Sequence, residues 1–240
     1  MGLQAALHLF YPPQCISCDA LVTTDFGLCG HCWRETPFIS GLVCDLCGTP
    51  LPGLDPGHPV HCDDCLTVAR PWSQGRAAVL YADNGRKLVL ALKHGDRIDL
   101  VRPMAAWLLR AARPLLQPGM IVAPVPLHWM RLLRRRYNQS ALLSGALAAA
   151  AGLDHCPDLL VRRRGTPSQE GRDREARFAN MSDAISPHPK RGARATGRHV
   201  LLVDDVMTSG ATLSAAAEAC VAAGATGVSI LALARVAKNA

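Results

Sequence analysis

Val200-Leu201-Leu202-Val203-Asp204-Asp205-Val206-Met207-Thr208-Ser209-Gly210-Ala211-Thr212 is the stretch that decides the fold. Its four opening apolar residues read as a strand buried on both faces, as strands of parallel sheets are. Two carboxylates stand at the C-terminal end of that strand, and small and hydroxylated residues around Gly210 lead into a helical pattern over residues 213–223. Strand, tight turn and helix start, in that order, aim the backbone N–H groups of Thr208, Ser209, Gly210, Ala211 and Thr212 at one point, which makes an anion cradle. Thr and Ser hydroxyls add donors, and Asp204 and Asp205 can accept from sugar hydroxyls. A phosphorylated sugar answers both halves of this arrangement better than bare phosphate. An adjacent Asp pair at a buried strand end is otherwise costly, because like charges there repel.

Outward from this stretch the same rhythm of strand and helix recurs. Residues 76–81 read as a strand, and Asn84 as the N-cap of a helix ending near Gly95. Residues 99–116 are a second helix on the spacing of Leu100, Met104, Trp107 and Leu108. A buried strand over 120–123 is stopped by Pro124-Val125-Pro126, residues 138–151 form a third helix, and 227–234 a closing strand. Such alternation predicts an α/β fold with a parallel sheet. Leu160-Val161-Arg162 and Ala184-Ile185 are short candidate strands around a polar stretch, residues 163–183, too charged to pack and of a length that reads as a functional lid or a disordered loop. Residues 187–198 read as a basic linker.

Ahead of residue 70 the chain changes character. Eight of the ten cysteines fall in four CxxC pairs, Cys15/Cys18, Cys29/Cys32, Cys44/Cys47 and Cys62/Cys65, in a segment rich in Gly, Pro and Asp and poor in periodicity. Too few side chains can be buried there to fold it unaided. Two structural Zn²⁺ ions, each held by four thiolates, would supply the missing stability, on the order of 10–16 kcal/mol per site in zinc-finger peptides. Sequential pairing, which gives two ribbons, is favoured over interleaved pairing. Disulfides and a thioredoxin-like motif fit less well, the first because a cytoplasmic setting disfavours them, the second for want of a βαβ context. Gly30 and Gly48 stand beside ligand cysteines where knuckle turns want them, and His31 and His61 read as bystanders. Removing metal is expected to unfold the ribbons and leave the sheet standing. Cys156 and Cys220 read as buried small hydrophobes.

Charge divides the chain at the same place. Residues 1–70 carry two basic and seven acidic side chains, a net of −5, while residues 71–240 carry 24 basic and 12 acidic, a net of +12. The larger part is the one suited to polyanions. No run reaches transmembrane length and no secretory signal is legible, so a cytoplasmic protein without membrane insertion is expected. Residues 70–75 read as a linker at the boundary between a double zinc ribbon module, residues 1–70, and a sheet domain, residues 71–240.

The stretch quoted first resembles the phosphoribosyl pyrophosphate (PRPP) loop of type I phosphoribosyltransferases. Two others are similar to one branch of that superfamily, the ComF family of competence-associated proteins. One is Pro124-Val125-Pro126-Leu127-His128 followed by Arg134-Arg135-Arg136-Tyr137-Asn138-Gln139; the other is Thr166 and Gln169 followed by Arg177 and Asn180. Lys93 with Gly95-Asp96 is a weaker echo, and Arg136-Tyr137 departs from the Gly-Phe that is commoner there. Members of the family commonly carry an N-terminal cysteine-pair zinc module. The resemblance implies a type I phosphoribosyltransferase-like parallel sheet flanked by helices behind a zinc-ribbon module, and a link to DNA uptake and natural transformation. It implies that PRPP, or a related sugar phosphate, binds with its phosphate on the amides of residues 208–212 and its ribose on Asp204 and Asp205. Val125 and Pro126 would face the pyrophosphate with Mg²⁺ between, and the lid would bring Arg172 and Arg177 to the leaving group.

Two functions stay open on this reading. One is a Mg²⁺-dependent phosphoribosyltransferase whose acceptor is unidentified. No aromatic residue follows Phe178, so a nucleobase pocket would fall to Tyr81 and Trp107, which read more simply as core. The other is a non-catalytic accessory factor that binds single-stranded DNA through Arg134, Arg135, Arg136 and Tyr137, where cations track phosphates and aromatics stack bases, alongside DNA-uptake or recombination proteins.

Overall fold

The computed structural model describes residues 11–128, 130, 133, 137–163 and 184–237. Five parallel strands make the central sheet: β1 (Gln74–Leu80), β2 (Ile121–Pro124), β3 (Asp154–His155), β6 (His199–Met207) and β7 (Gly227–Arg235), in the spatial order β1-β7-β6-β2-β3. The short strands β4 (Leu160–Arg162) and β5 (Ile185–Pro187) pair antiparallel outside that sheet. Around it lie α3 (Asp83–His94), α4 (Val101–Ala112), α5 (Gln139–Ala151) and α6 (Ala211–Ala222), preceded in the cysteine region by the single turns α1 (Gly30–Arg34) and α2 (Asp63–Thr67).

Period-two alternation along the strands sorts the core into two layers. Ile121, Ala123, Val200, Leu202, Ile230 and Ala232 pack beneath Leu213, Ala216 and Cys220 of α6. Val122, Leu201, Val203, Leu231 and Leu233 face Leu88 of α3, Leu108 of α4 and Leu143 of α5. β2 therefore leads through α5 on one face to β3, while β6 leads through α6 on the other face to β7. The chain diverges between β2 and β6, and a crevice at the carboxyl ends of two such strands is where open α/β sheets hold ligands.

Boundaries moved where hydrogen bonding outlasted the apolar pattern. β6 was expected to end at Val203 but continues to Met207, because its ladder with β7 runs on through Asp204, Val206 and Met207. The acidic pair is thus held inside a strand rather than trailing from one. The helix expected over 99–116 narrows to α4 between two 3₁₀ turns, the second of which contains Pro114. Asn138 caps α5, its side chain accepting from Ser140 N at 3.0 Å, and Gly152 closes that helix in the left-handed region.

The cysteine region is built onto the sheet. Pro37, Phe38 and Ile39 run along β1 as an added antiparallel edge, through Ile39 N to Ala78 O at 3.0 Å and Leu80 N to Pro37 O at 2.9 Å. Phe38 sits between Trp33, 4.6 Å away, and Trp107 of α4, 5.1 Å away edge-on. Trp107 and Tyr81 pack against the core as expected. Gly48 has φ +70° and lies so close to β1 that a Cβ would come within 2.7 Å of Ala77 N. Gly30, by contrast, is helical with open space around it, so the turn argument made for it does not apply. Residues 70–75 are no free linker either: Arg70 is bonded to Ser209 O, Trp72 is buried and β1 already begins at Gln74.

Candidate functional site

The loop after β6 is built around Gly210, whose φ of +84° reverses the chain into α6. The first turn of a helix has no intrahelical acceptors for its N–H groups, and that turn opens on residues 208–212, which line one small cavity with Asp204. Ala211 N leans on Ser209 Oγ at 3.4 Å and Ser214 N closes on Gly210 O at 2.8 Å. The dipole of a twelve-residue helix adds positive potential at that point.

Asp204 and Asp205 stand behind the loop, and different elements hold them. Asp204 Oδ1 accepts from Ser140 Oγ of α5 at 3.0 Å and from Asp205 N at 2.9 Å. Asp205 Oδ2 is paired with Lys93 Nζ, from the end of α3, at 3.0 Å. Burial, and then the neighbouring Asp205 charge, push Asp204 up to about 7, with Lys93 opposing them. Part of Asp204 still reaches the surface, so the group is deep without being sealed. A carboxyl poised there can give up its proton to meet a ligand hydroxyl.

β2 delivers the next piece. Val125 N donates to Val203 O at 2.9 Å, which seats Val125 and Pro126 beside β6 at the carboxyl edge of the sheet. Asn138 Nδ2 donates to Val125 O at 3.1 Å, and Tyr137 OH donates to Leu92 O at 3.0 Å, fastening the start of α5 to both β2 and α3. Val125, Pro126, Asp204, Asp205, Thr208, Ser209, Gly210, Ala211 and Thr212 therefore share one edge of the molecule. Arg134, Arg135, Arg136, Arg172 and Arg177 lie outside the described residues. Sequence reasoning missed Ser140, which carries no signal of its own, and gave Lys93 only as a weak echo. It also missed Arg70 and Arg235, whose side chains reach the loop from behind.

The eight paired cysteines gather into two groups, Cys15, Cys18, Cys29 and Cys32 in one and Cys44, Cys47, Cys62 and Cys65 in the other, with the sulfurs of each group within 4.8 Å of one another. Sequential pairing is thereby borne out. Cys18 and Cys29 sulfurs are 3.6 Å apart, as are those of Cys47 and Cys62, against about 3.8 Å expected across a tetrahedral zinc with 2.3 Å bonds. Burial, together with neighbouring thiols, pushes Cys32 up to about 12, and burial with the Cys47 charge pushes Cys62 up to about 11. Crowded thiols resist ionising together, and a divalent cation removes that conflict. Both four-cysteine sites fit structural Zn²⁺. Cys156 and Cys220 are buried, and burial pushes Cys220 up to about 12. No described helix is long and apolar enough to cross a membrane.

Fold and site together define a phosphoribosyltransferase-type α/β domain carrying a double zinc ribbon: residues 6–66 match the double zinc ribbon domain, and residues 147–240 match the phosphoribosyl transferase domain. The chain is similar along nearly its whole length to the DNA utilization protein YhgH of Salmonella typhi, 31% identical over 235 residues, which cover 95% of this chain and 99% of that protein. Competence protein F of Haemophilus influenzae is 28% identical over 211 residues, 85% of this chain and 89% of that one. Among solved structures, APRTase from Giardia lamblia complexed with 9-deazaadenine aligns over 60% of this chain and 70% of its own at 22% identity, with a TM-score of 0.36. The chain belongs to the ComF family of competence-associated proteins.

Proposed function

We propose that this protein binds PRPP with Mg²⁺ at the carboxyl edge of β2 and β6, and transfers its phosphoribosyl group to an acceptor in the service of DNA uptake. One observation carries the reading: a left-handed glycine turn opening a helix stands directly beyond two carboxylates at the point where the sheet's winding reverses. The 5-phosphate takes the amides of residues 208–212, with the hydroxyls of Thr208, Ser209 and Thr212 as further donors. Asp204 and Asp205 accept from the ribose hydroxyls. Mg²⁺ prefers oxygen ligands and keeps most of its water, so it would be supplied together with the pyrophosphate, and Val125 and Pro126 would face that pyrophosphate. Arg172 and Arg177 are the candidates to meet the charge that builds on departing pyrophosphate. Calorimetry tests this: Mg²⁺-PRPP should bind the wild type and fail to bind Asp204→Ala/Asp205→Ala, and equal affinity in the two would sink the assignment.

The names of the relatives concern DNA utilization and competence, and the +12 balance of residues 71–240 suits a polyanion. Single-stranded DNA is accordingly the second ligand of this reading, held by Arg134, Arg135 and Arg136 near Tyr137, with DNA-uptake or recombination proteins as partners and the cytoplasm as the setting.

A further inference from the structure

Two arginines hold the loop after β6 from behind, one from the end of β7 and one from just beyond the second thiolate group. Arg235, at the end of β7 and only 4% exposed, donates through Nη1 to the carbonyls of Met207 at 3.2 Å, Thr208 at 2.6 Å and Val236 at 2.7 Å. Its Nη2 lies 3.9 Å from Cys47 Sγ. Arg70, five residues beyond Cys65, donates through Nη1 to Ser209 O at 2.9 Å and stands 5.4 Å from the centre of the Trp72 ring. Trp72 Nε1 in turn donates to Leu46 O, inside the Cys44–Cys47 knuckle, at 2.6 Å. Gly210 rests on this assembly so closely that a Cβ would come within 3.0 Å of Arg70 Nη1 and 3.3 Å of the Trp72 ring.

The direction of these bonds matters. In a planar trans peptide the carbonyl and the next residue's N–H point opposite ways. Drawing the carbonyls of Met207, Thr208 and Ser209 toward the arginines turns the N–H groups of Thr208, Ser209 and Gly210 the other way, into the cradle. Amides fixed before a ligand arrives spare it the cost of ordering them.

The arginines themselves need a counter-charge. Arg70 Nε and Arg235 Nε are buried without a hydrogen-bond acceptor among the described residues, and the carbonyls that meet their Nη1 atoms are neutral, so the charge of nearly buried Arg235 is only partly compensated. A divalent ion held by four thiolates leaves an anionic centre beside both guanidiniums, which neutral thiols do not provide. The first thiolate group contacts a different part of the fold: Asn84, in the first turn of α3, donates to Cys32 O at 3.2 Å, and Lys87 donates to Ser17 O at 2.7 Å.

We propose that the Cys44, Cys47, Cys62 and Cys65 centre, once metal-loaded, is a positioning element of the phosphate site, acting through Arg235 and Arg70 as positioning residues. The inference rests on the phosphate-binding reading above and adds that the two zinc sites have different work, the second one coupled to ligand.

Coupling between two binding sites is reciprocal, which supplies a test that does not depend on turnover. In the zinc-loaded full chain, Mg²⁺-PRPP affinity is measured by calorimetry, and the two zinc affinities by equilibrium competition with a metal-buffering chelator. Arg70→Ala and Arg235→Ala should each weaken Mg²⁺-PRPP at least tenfold while two zinc equivalents remain bound, and Arg235→Lys should recover part of the loss. In the wild type, saturating Mg²⁺-PRPP should raise the affinity of one zinc equivalent and leave the other unmoved, and Arg70→Ala should abolish that rise. If Arg235→Ala fails to fold, half-buried Arg70 carries the test. Wild-type binding that persists unchanged in the arginine variants, or zinc affinities blind to ligand, overturns the coupling alone. Absence of Mg²⁺-PRPP binding to the wild type overturns the phosphate-site reading and the coupling with it.

Discussion

Asp204 is the residue on which ligand-free stability and the proposed ligand binding should pull in opposite directions. Its carboxyl titrates at about 7 in the folded chain, against roughly 4 for an unfolded aspartate. The folded state thus holds a proton that the unfolded state has released between those values, and stability falls as pH rises from about 4 to 7. Above 7 the full penalty applies. Asp204→Asn should therefore stabilise the ligand-free protein at pH 8, by on the order of 2 kcal/mol and several degrees in Tm, with the gain vanishing near pH 4. Ribose hydroxyls donate best to the ionised form, so Mg²⁺-PRPP affinity in the wild type should rise between pH 6 and 8 with proton release, while Asp204→Asn binds weakly at every pH. Thermal melts across pH and calorimetry in buffers of differing ionisation enthalpy check both halves. A variant less stable than wild type at pH 8 would show that the Ser140 and Lys93 contacts outweigh burial.

Among the elements, the joint between the ribbons and β1 decides what metal does for the molecule. Residues 37–39 pair along β1, Gly48 lies against Ala77, and Arg76 binds Asp45 at 2.6 Å. Unfolding of the ribbons on zinc removal would therefore uncover the β1 edge of the sheet, which is where unpaired strands aggregate or open. The sequence alone suggested that the sheet would stand without its ribbons; the packing argues for a shared transition instead. Full chelation should lower the main thermal transition of the chain as a whole, with loss of strand signal in parallel with loss of metal. A calorimetric trace with two separate transitions, the upper one unmoved by chelator, would restore the picture of independent modules.

Across the whole molecule the charge is divided, with −5 on residues 1–70 and +12 on residues 71–240. Residues 37–39 of the acidic part lie along the β1 edge, at the opposite end of the sheet from β3. Single-stranded DNA should accordingly bind without sequence preference and weaken with salt at about −0.7 per phosphate neutralised. Replacing Arg134, Arg135 and Arg136 together by Ala should flatten that slope by up to about two units, with zinc content unchanged. An unaltered slope measured by fluorescence anisotropy would remove those arginines from the DNA path.

The sequence by itself determined the fold class, the anion turn and the metal sites, because each is written in contiguous residues: the apolar run ending in Asp204 and Asp205, the glycine among hydroxyls, the CxxC spacing. Such signals are local, since they follow from backbone dihedrals and from how many ligands one turn can present. Only the tertiary structure decided what surrounds them. Ser140 is 64 residues from Asp204, and Lys93, Arg70 and Arg235 are 112, 135 and 30 residues from Asp205 in the chain; of the four, only Lys93 carries even a weak mark in its own neighbourhood. They reach the site because the parallel crossovers bring α3, α5, β7 and the second cysteine knuckle to the same end of the sheet. A parallel sheet assembles its site from strand ends far apart in sequence, so the residues that tune and brace the cradle become visible only once the strands are side by side.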